Sequence, residues 1–125
     1  MDGAAGSYYY PVTMTNKSAA TCQLSGFPGV SFVAGDDGHQ VGKAAGRDTS
    51  KPNQTVIIAP GSSAKFTVRI IDSGSYPTAT CMPVMARGLR IYTPGETHAA
   101  FLPLSIQTCS STNISLLTTG PVTAA

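Results

Sequence analysis

Apolar and polar residues alternate with a period of two along much of the chain, as they do in strands buried on one face. Residues 8–14 are the first example, with every second side chain large and apolar. Pro11 lies inside this run, and because proline has no backbone N–H, we expect the strand at a sheet edge or at a bulge. In residues 64–72 the apolar side chains alternate with charged and hydroxyl side chains, which predicts one buried and one solvent-exposed face.

Turn residues divide the remaining chain into short segments of the same kind. The pattern predicts further strands at residues 21–24, 30–34, 40–43, 54–59, 89–93, 98–102 and 113–119. Residues 44–53 are interpreted as a surface loop, and residues 82–87 as the segment able to hold one helical turn. About seven to nine short strands with frequent turns predict an all-β fold, an immunoglobulin-like antiparallel β-sandwich.

Two hairpins are predicted from the turn residues between neighbouring strands. Pro60-Gly61 is expected to join the strand before it to residues 64–72, and Pro94-Gly95 to join residues 89–93 to 98–102. We expect the whole chain, residues 1–125, to form a single β-sandwich domain.

The composition is poor in charge, with 11% charged residues and a formal net charge of +2. Lys and Arg are scattered without runs, so we expect no nucleic-acid partner, because phosphate binding needs clustered cations. These residues contain no apolar run long enough to cross a membrane. The first residues do not resemble a signal peptide, and we expect the trimmed mature region of a longer exported protein, with Met1 added; cytosolic residence is the alternative.

A set of short motifs recurs in an order typical of one family. The motifs are Gly3-Ala4-Ala5-Gly6, Asn16 with Thr21-Cys22-Gln23-Leu24, Gly26-Phe27-Pro28-Gly29-Val30, Pro60-Gly61 with Ala64, Tyr76-Pro77 with Cys81-Met82-Pro83, and Leu89-Arg90-Ile91-Tyr92 with Pro94-Gly95. Together they resemble the exported actinobacterial family called domain of unknown function 4232. The resemblance covers nearly the whole chain and implies a secreted protein or a lipoprotein of the cell envelope. In the lipoprotein case the lipid anchor would be attached upstream of these residues. The resemblance implies no activity.

The three cysteines predict one disulfide and one thiol without its partner. Cys81 precedes the second predicted hairpin and Cys109 follows it, so both arrive at the same end of the sandwich and are predicted to pair. Such a bridge stabilises a domain by about 3–4 kcal/mol in the chain-entropy model. The family usually carries a further cysteine upstream, which implies that Cys22 is an unpaired or partner-lost thiol. Three reduced, buried thiols are the alternative.

Tyrosines offer a candidate ligand surface. Tyr9 alternates outward in the first strand, and Tyr92 alternates outward beside Leu89 and Ile91. Exposed aromatic faces can stack on sugar rings, which makes Tyr9 and Tyr92 the candidates for a glycan-binding pair. The alternative is that such tyrosines serve the core, with their hydroxyls at its rim.

Catalytic, metal and cofactor sites are not indicated by the residue pattern. Glu96 and His98 lie near a turn and Ser62 and Ser63 lie in another, but no nucleophile elbow accompanies them. His39 follows two acids in a loop tip, too few oxygen ligands for a calcium loop. We therefore expect no catalytic residue, no metal and no cofactor.

The sequence thus predicts a non-catalytic secreted or cell-envelope module. A protein-interaction or structural role with an unknown protein partner is the first interpretation. Binding of a cell-wall glycan through exposed tyrosines is the second, and a hydrolase is the third. An exposed apolar patch or sheet edge would favour protein interaction. Coplanar exposed tyrosines would favour glycan binding, and a concave polar pocket would favour a hydrolase.

Overall fold

The computed structural model describes residues 2–4, 6–93 and 99–125, and these residues form twelve strands, one short α-helix and one 3₁₀ turn. The strands are β1 (Asp2–Ala4), β2 (Ser7–Thr15), β3 (Cys22–Ser25), β4 (Gly29–Ala34), β5 (His39–Val41), β6 (Gly46–Arg47), β7 (Thr55–Ile58), β8 (Ser63–Ile71), β9 (Pro83–Tyr92), β10 (Ala100–Cys109), β11 (Leu117–Thr119) and β12 (Thr123–Ala124). The 3₁₀ turn is Ser73–Ser75 and the helix, α1, is Thr78–Cys81. No helix in this described part is long and apolar enough to cross a membrane.

The strands form three sheets. The six-stranded sheet has the order β1-β2-β8-β11-β6, with β12 also paired to β8. The four-stranded sheet has the order β10-β9-β4-β5, and the two-stranded sheet pairs β3 with β7. All described pairings are antiparallel except that of β6 with β11. The predicted all-β sandwich is therefore confirmed, with more strands than expected, among them β9 and β10, which are twice as long as the strands predicted there.

The core lies between the six-stranded and four-stranded sheets. Alternation places every second residue of β8 inside, where Phe66, Val68 and Ile70 are at most 2% exposed. Leu89 and Ile91 of β9 pack against them from the opposite sheet. This period-two burial is what the sequence pattern predicts, and in β8 it leaves the intervening side chains on the outer face, whereas β4 is buried on both faces.

The first predicted hairpin is wrong. β7 and β8 are both strands, but β7 pairs with β3 rather than with β8. β8 has β2 on one side and β11 and β12 on the other, so it has no edge left for β7. The turn between them is held by Asn16 instead, whose carbonyl oxygen accepts from the Gly61 N–H at 2.8 Å and whose N–H donates to the Ser62 carbonyl at 2.9 Å.

The second predicted hairpin is confirmed by the pairing of β9 with β10, from Ala100 opposite Ile91 to Cys109 opposite Pro83. Its predicted turn, residues 94–98, lies outside the described residues. The helical turn expected at residues 82–87 is wrong, because those residues belong mainly to β9. The single helical turn is α1, and it ends where Met82 adopts a left-handed φ of 52°.

Smaller differences concern the loops and the last strand. The loop predicted at residues 44–53 contains the two-residue strand β6, which pairs in parallel with β11. The strand expected at residues 113–119 is shorter, and β12 follows it. The position of β6 matters for the candidate site, because it carries the following loop onto the outer face of the six-stranded sheet.

Candidate functional site

Outward-facing side chains of the six-stranded sheet align in rows across its strands. Tyr9 of β2 lies opposite Arg69 of β8, and Arg69 lies opposite Thr118 of β11. Thr67 lies in the next row, and its carbonyl oxygen accepts a hydrogen bond of 3.0 Å from the Gly120 N–H. The first row therefore joins an aromatic ring, a cation and a hydroxyl on one face.

Lys65 and Thr123 form a third row, opposite each other on β8 and β12. Side chains two positions apart on a strand face the same side, so Lys65, Thr67 and Arg69 form a line along β8. With a rise of about 3.3 Å per residue, the Cα atoms of Lys65 and Arg69 at its ends are separated by about 13 Å.

The segment after β6 forms a wall beside these rows. Arg47 lies opposite Thr119 in the parallel pair, and the Asp48 N–H donates a 2.8 Å hydrogen bond to the Thr119 carbonyl. The Asp48 carboxylate accepts hydrogen bonds from the N–H of Ser50, at 3.1 Å, and from its hydroxyl. This is an Asx-type turn, and Lys51 follows it on the inner side of the wall.

The rows and the wall border a cavity of about 480 Å³. A second cavity of about 240 Å³ continues along β8. Lys51, Thr67 and Gly120 line both cavities, so the two form one elongated depression, which we call the basic groove. Its lining includes Tyr9, Arg47, Lys51, Lys65, Thr67 and Arg69.

Positive side chains dominate the charge of the basic groove. Among the side chains that the structure describes, those of four Lys and Arg residues and one acidic residue, Asp48, line it. Four positive charges and one negative charge give a formal charge of +3, which exceeds the +2 of the whole chain. Across residues 2–4, 6–93 and 99–125, none of these four cations forms an ion pair.

The side-chain donors of the groove cations are largely uncommitted within the described residues. Arg69 donates one long hydrogen bond, 3.4 Å from its Nε to the Ser7 hydroxyl. The Arg47 guanidinium lies 5.8 Å from the centre of the Phe27 ring, a cation–π distance. Most of their N–H groups are therefore available to an acceptor from outside the chain.

The groove's one carboxylate is already occupied. The hydroxyl of Ser50 is the largest cause that holds the pKa of Asp48 below its usual range, followed by the Ser50 N–H and then by the charges of Lys51 and Arg69. Desolvation opposes these effects. The lowered pKa favours the ionised carboxylate, whose Oδ1 accepts both hydrogen bonds of the turn, and none of the four groove cations lies within ion-pair distance of it in the described residues.

Tyr9 and Tyr92 are placed differently by the fold. The Tyr9 side chain is 45% exposed and borders the basic groove. Tyr92 is half-buried on the four-stranded sheet, opposite Gly29, with the Arg90 guanidinium 5.9 Å from its ring centre. Because the two sheets pack through their inner faces, the structure does not bring the two tyrosines together on one surface.

The predicted disulfide is present, with Cys81 and Cys109 joined at a Cα–Cα distance of 4.6 Å. It clasps the open end of the β9–β10 hairpin, next to the pair formed by Pro83 and Cys109. Cys22 is half-buried and forms no disulfide within the described residues. It lines a cavity of about 300 Å³ with Met14 and Leu24, and its pairing with an upstream cysteine stays a prediction.

The remaining candidates do not converge on one place. His39 begins β5, directly after the turn, and its Nδ1 is 2.7 Å from an Asp37 carboxylate oxygen, with both side chains exposed. The Ser63 hydroxyl is hydrogen-bonded to the Thr15 hydroxyl at 2.8 Å. Glu96 and His98 lie outside the described residues.

The basic groove itself was not predicted from the sequence. Its four cations are separated along the chain and look scattered, and only Lys65 and Arg69 share a strand. Their alternation with the buried Phe66 and Val68 is a readable signal that both point outward. The parallel pairing of a two-residue strand, which brings the other two cations beside them, has no such signal.

Fold and surface together define an all-β sandwich with a cationic groove on the outer face of one sheet. The chain belongs to the family described as domain of unknown function (DUF4232), whose model matches residues 1–123. The resemblance stated from the sequence motifs is therefore confirmed. No curated protein and no solved structure matches the chain.

Proposed function

We propose that the chain is a non-catalytic module of the cell exterior that binds a glycan through the basic groove. The observation that carries this proposal is the exposed Tyr9 ring, aligned in one row with Arg69 and Thr118 at the rim of a cavity of about 480 Å³. An aromatic surface beside several hydrogen-bonding groups is suited to a ligand that presents both C–H faces and hydroxyl groups.

Hydroxyl side chains give the groove a polar lining that favours a hydrophilic ligand. Thr49, Ser50, Thr67 and Thr118 line the larger cavity. A threonine hydroxyl can both donate and accept a hydrogen bond, whereas the Ser50 hydroxyl donates to Asp48 and can still accept. Sugar hydroxyls have the same dual capacity. Tyr9 supplies an apolar face with a polar tip, the arrangement needed to position a sugar ring.

Two observations support a location outside the cytoplasm. The Cys81–Cys109 disulfide is typical of oxidising compartments, and only 11% of the residues are charged, so Ser, Thr, Asn and Gln supply much of the polar character of the chain. We expect the protein in the culture medium or envelope fraction of its native cell, and detergent partitioning tests the proposed lipid anchor. Recovery in the cytosolic fraction alone would contradict this location.

A glycan array tests the binding role. The wild-type chain is expected to bind a subset of cell-wall fragments and polysaccharides, and Tyr9→Ala to weaken that binding about tenfold, the equivalent of about 1.4 kcal/mol. Tyr92→Ala is the matched control, because it removes the same side chain from the other sheet and leaves the basic groove intact. Its binding should stay within about twofold of wild type.

Absence of binding to every glycan on the array would contradict the proposal, as would equal binding by wild type and Tyr9→Ala. Thermal unfolding of both variants provides the folding control. Loss of binding in Tyr92→Ala with retention in Tyr9→Ala would transfer the binding site to the four-stranded sheet.

A protein-interaction or structural role is the second candidate, and one observation favours it. β10 is an edge strand of the four-stranded sheet, and the side chains of Phe101 and Met85 are 53% and 56% exposed on it and its neighbour. Free strand edges and exposed apolar side chains are common features of protein interfaces. A partner retained from an envelope extract by wild type and lost with Phe101→Ser would support this role.

A further inference from the structure

We infer that the ligand of the basic groove is an extended anionic glycan, one that carries carboxylate or similar acidic groups along its length. This inference rests on the proposed glycan-binding function and specifies the chemistry of its ligand. It depends on the number, spacing and free state of the cations in the groove.

The donor inventory of the groove favours an acidic ligand over a neutral one. Arg47, Lys51, Lys65 and Arg69 offer donors and no acceptors, and together they outnumber the one carboxylate, Asp48. A neutral sugar would leave most of these charges without a counter-charge. A carboxylate forms charge-assisted hydrogen bonds with them, and Arg can bind it through two parallel bonds.

The spacing of the cations favours an extended ligand. Arg69 lies in the row of Tyr9, while Lys65 lies four residues away along β8 and lines the second cavity. The Cα atoms of Lys65 and Arg69 lie about 13 Å apart along the strand, a span longer than one sugar ring. Lys51 lines both cavities, so the positive charge is continuous between the two ends.

The lining of the groove favours a glycan over an acidic peptide. An extended peptide gains specificity from pockets that accept its alternate side chains and from a free strand edge. β8, which forms the floor, has no free edge, because β2 lies on one side and β11 and β12 on the other. Exposed hydroxyls and the Tyr9 ring remain as the recognition groups.

Polygalacturonate is a suitable probe, since it is a linear chain of carboxylated sugar rings. Isothermal titration should show binding of polygalacturonate oligomers, with affinity at least about tenfold above that of the galacturonate monomer. A neutral linear glucan of the same length should bind at least about tenfold more weakly. Affinity should also fall as salt is raised, because exposed charges are screened.

Charge variants locate the interaction. Lys65→Gln with Arg69→Gln is expected to weaken polygalacturonate binding at least about tenfold. Lys17→Gln with Lys43→Gln is the matched control, because it also removes two positive charges, but from exposed positions outside the basic groove. It should change affinity by less than about twofold.

The outcomes separate this inference from the proposed function. Tyr9-dependent binding of a neutral glucan, unaffected by salt and by the charge variants, overturns the inference and keeps the glycan-binding role. Equal binding of polyglutamate or of a DNA oligonucleotide overturns the inference as well, because the surface would then attract any polyanion. A flat salt dependence of wild-type binding overturns it even if the variants fail to fold.

Discussion

The outer faces of the two larger sheets both carry arginine and tyrosine, but the arginines have different partners. On the four-stranded sheet, Arg87 donates a 2.6 Å hydrogen bond to the Gly35 carbonyl, and Arg90 donates a 3.0 Å bond to the Gln40 side chain. On the six-stranded sheet, the Arg69 side chain makes one hydrogen bond to the described residues, of 3.4 Å to the Ser7 hydroxyl. The arginines of the four-stranded sheet are hydrogen-bonded within the protein, whereas most N–H groups of Arg69 on the six-stranded sheet face solvent.

The difference arises from the loop that borders each face. The β4–β5 hairpin presents two acceptors to this face, the Gly35 carbonyl in the turn and the Gln40 side-chain oxygen in β5. The wall beside the six-stranded sheet presents the Asp48 carboxylate, whose oxygen already accepts from Ser50. Outward alternation therefore places a cation on a face, while the neighbouring loop decides whether it stabilises the fold or can bind a ligand.

The largest expected effect concerns the covalent clasp of the four-stranded sheet. The Cys81–Cys109 bridge closes a loop with a sequence separation of 28 residues, and its removal should lower the free energy of unfolding by about 3–4 kcal/mol. Denaturant unfolding of Cys81→Ala with Cys109→Ala measures this loss. Cys22→Ala, a half-buried thiol outside the disulfide, is the control and should cost less than about 1.5 kcal/mol; equal losses would contradict the structural role of the bridge.

Glycine substitutions in the two sheets should differ in their effect on stability. A Cβ on Gly88 of β9 would overlap the Leu102 carbonyl and lie 2.8 Å from the Phe101 ring, so Gly88→Ala should destabilise the fold by about 3 kcal/mol. A Cβ on Gly46 of β6 would meet no atom within 4 Å. Gly46→Ala should change the free energy of unfolding by less than about 0.5 kcal/mol. Thermal unfolding of both variants measures the difference, and comparable losses would refute the close packing of β9 on β10.

Much of the strand content could be predicted because burial has a period of two, and β8 shows how far that signal reaches. Its inward Phe66, Val68 and Ile70 specify the strand and its buried face. They do not specify its neighbours, since hydrogen bonding to β2 or to β7 would bury the same side chains. The pairing was decided by the whole sheet, in which β2, β11 and β12 already occupy both edges of β8.

The disulfide and the basic groove differ in how far they could be predicted from the sequence. Cys81 and Cys109 flank one local hairpin, so their proximity followed from a single pairing of adjacent strands. Arg47 and Arg69 meet through β11, which lies between β6 and β8 in the sheet and far from both along the chain. A period-two pattern contains no information about that long-range order, and the groove became visible only with the complete topology.

Arginine truncation tests the comparison directly. Arg90→Ala removes a hydrogen bond to Gln40 and the cation–π contact with Tyr92, and should lower the free energy of unfolding by about 1 kcal/mol. Arg69→Ala should change stability by less than about 0.5 kcal/mol, while it weakens glycan binding. Chemical denaturation and titration with the same glycan measure both effects, and the reverse assignment of the losses would remove the distinction between the faces.

The smallest effects are expected at the acidic groups of the two loops. Hydrogen bonding to His39 is the largest cause that lowers the pKa of Asp37, and hydrogen bonding to Ser50 is the largest cause that lowers the pKa of Asp48. A carboxyl with a lowered pKa binds its proton more weakly in the folded chain than in the unfolded chain. Each group therefore stabilises the fold above the usual pKa range of aspartate, and this contribution is lost as pH falls through the folded-state pKa.

Site-resolved carboxyl titration by NMR should separate the two loops. His39→Ala should raise the pKa of Asp37 towards its usual range and leave that of Asp48 unchanged. Ser50→Ala should raise the pKa of Asp48 and leave that of Asp37 unchanged. Lys51→Gln should raise the pKa of Asp48 by a smaller amount, because the lysine acts through its charge rather than through a hydrogen bond. If Lys51→Gln moved Asp37 as much as Asp48, the positive field of the basic groove would extend over both faces, and the two loops would not act on separate surfaces.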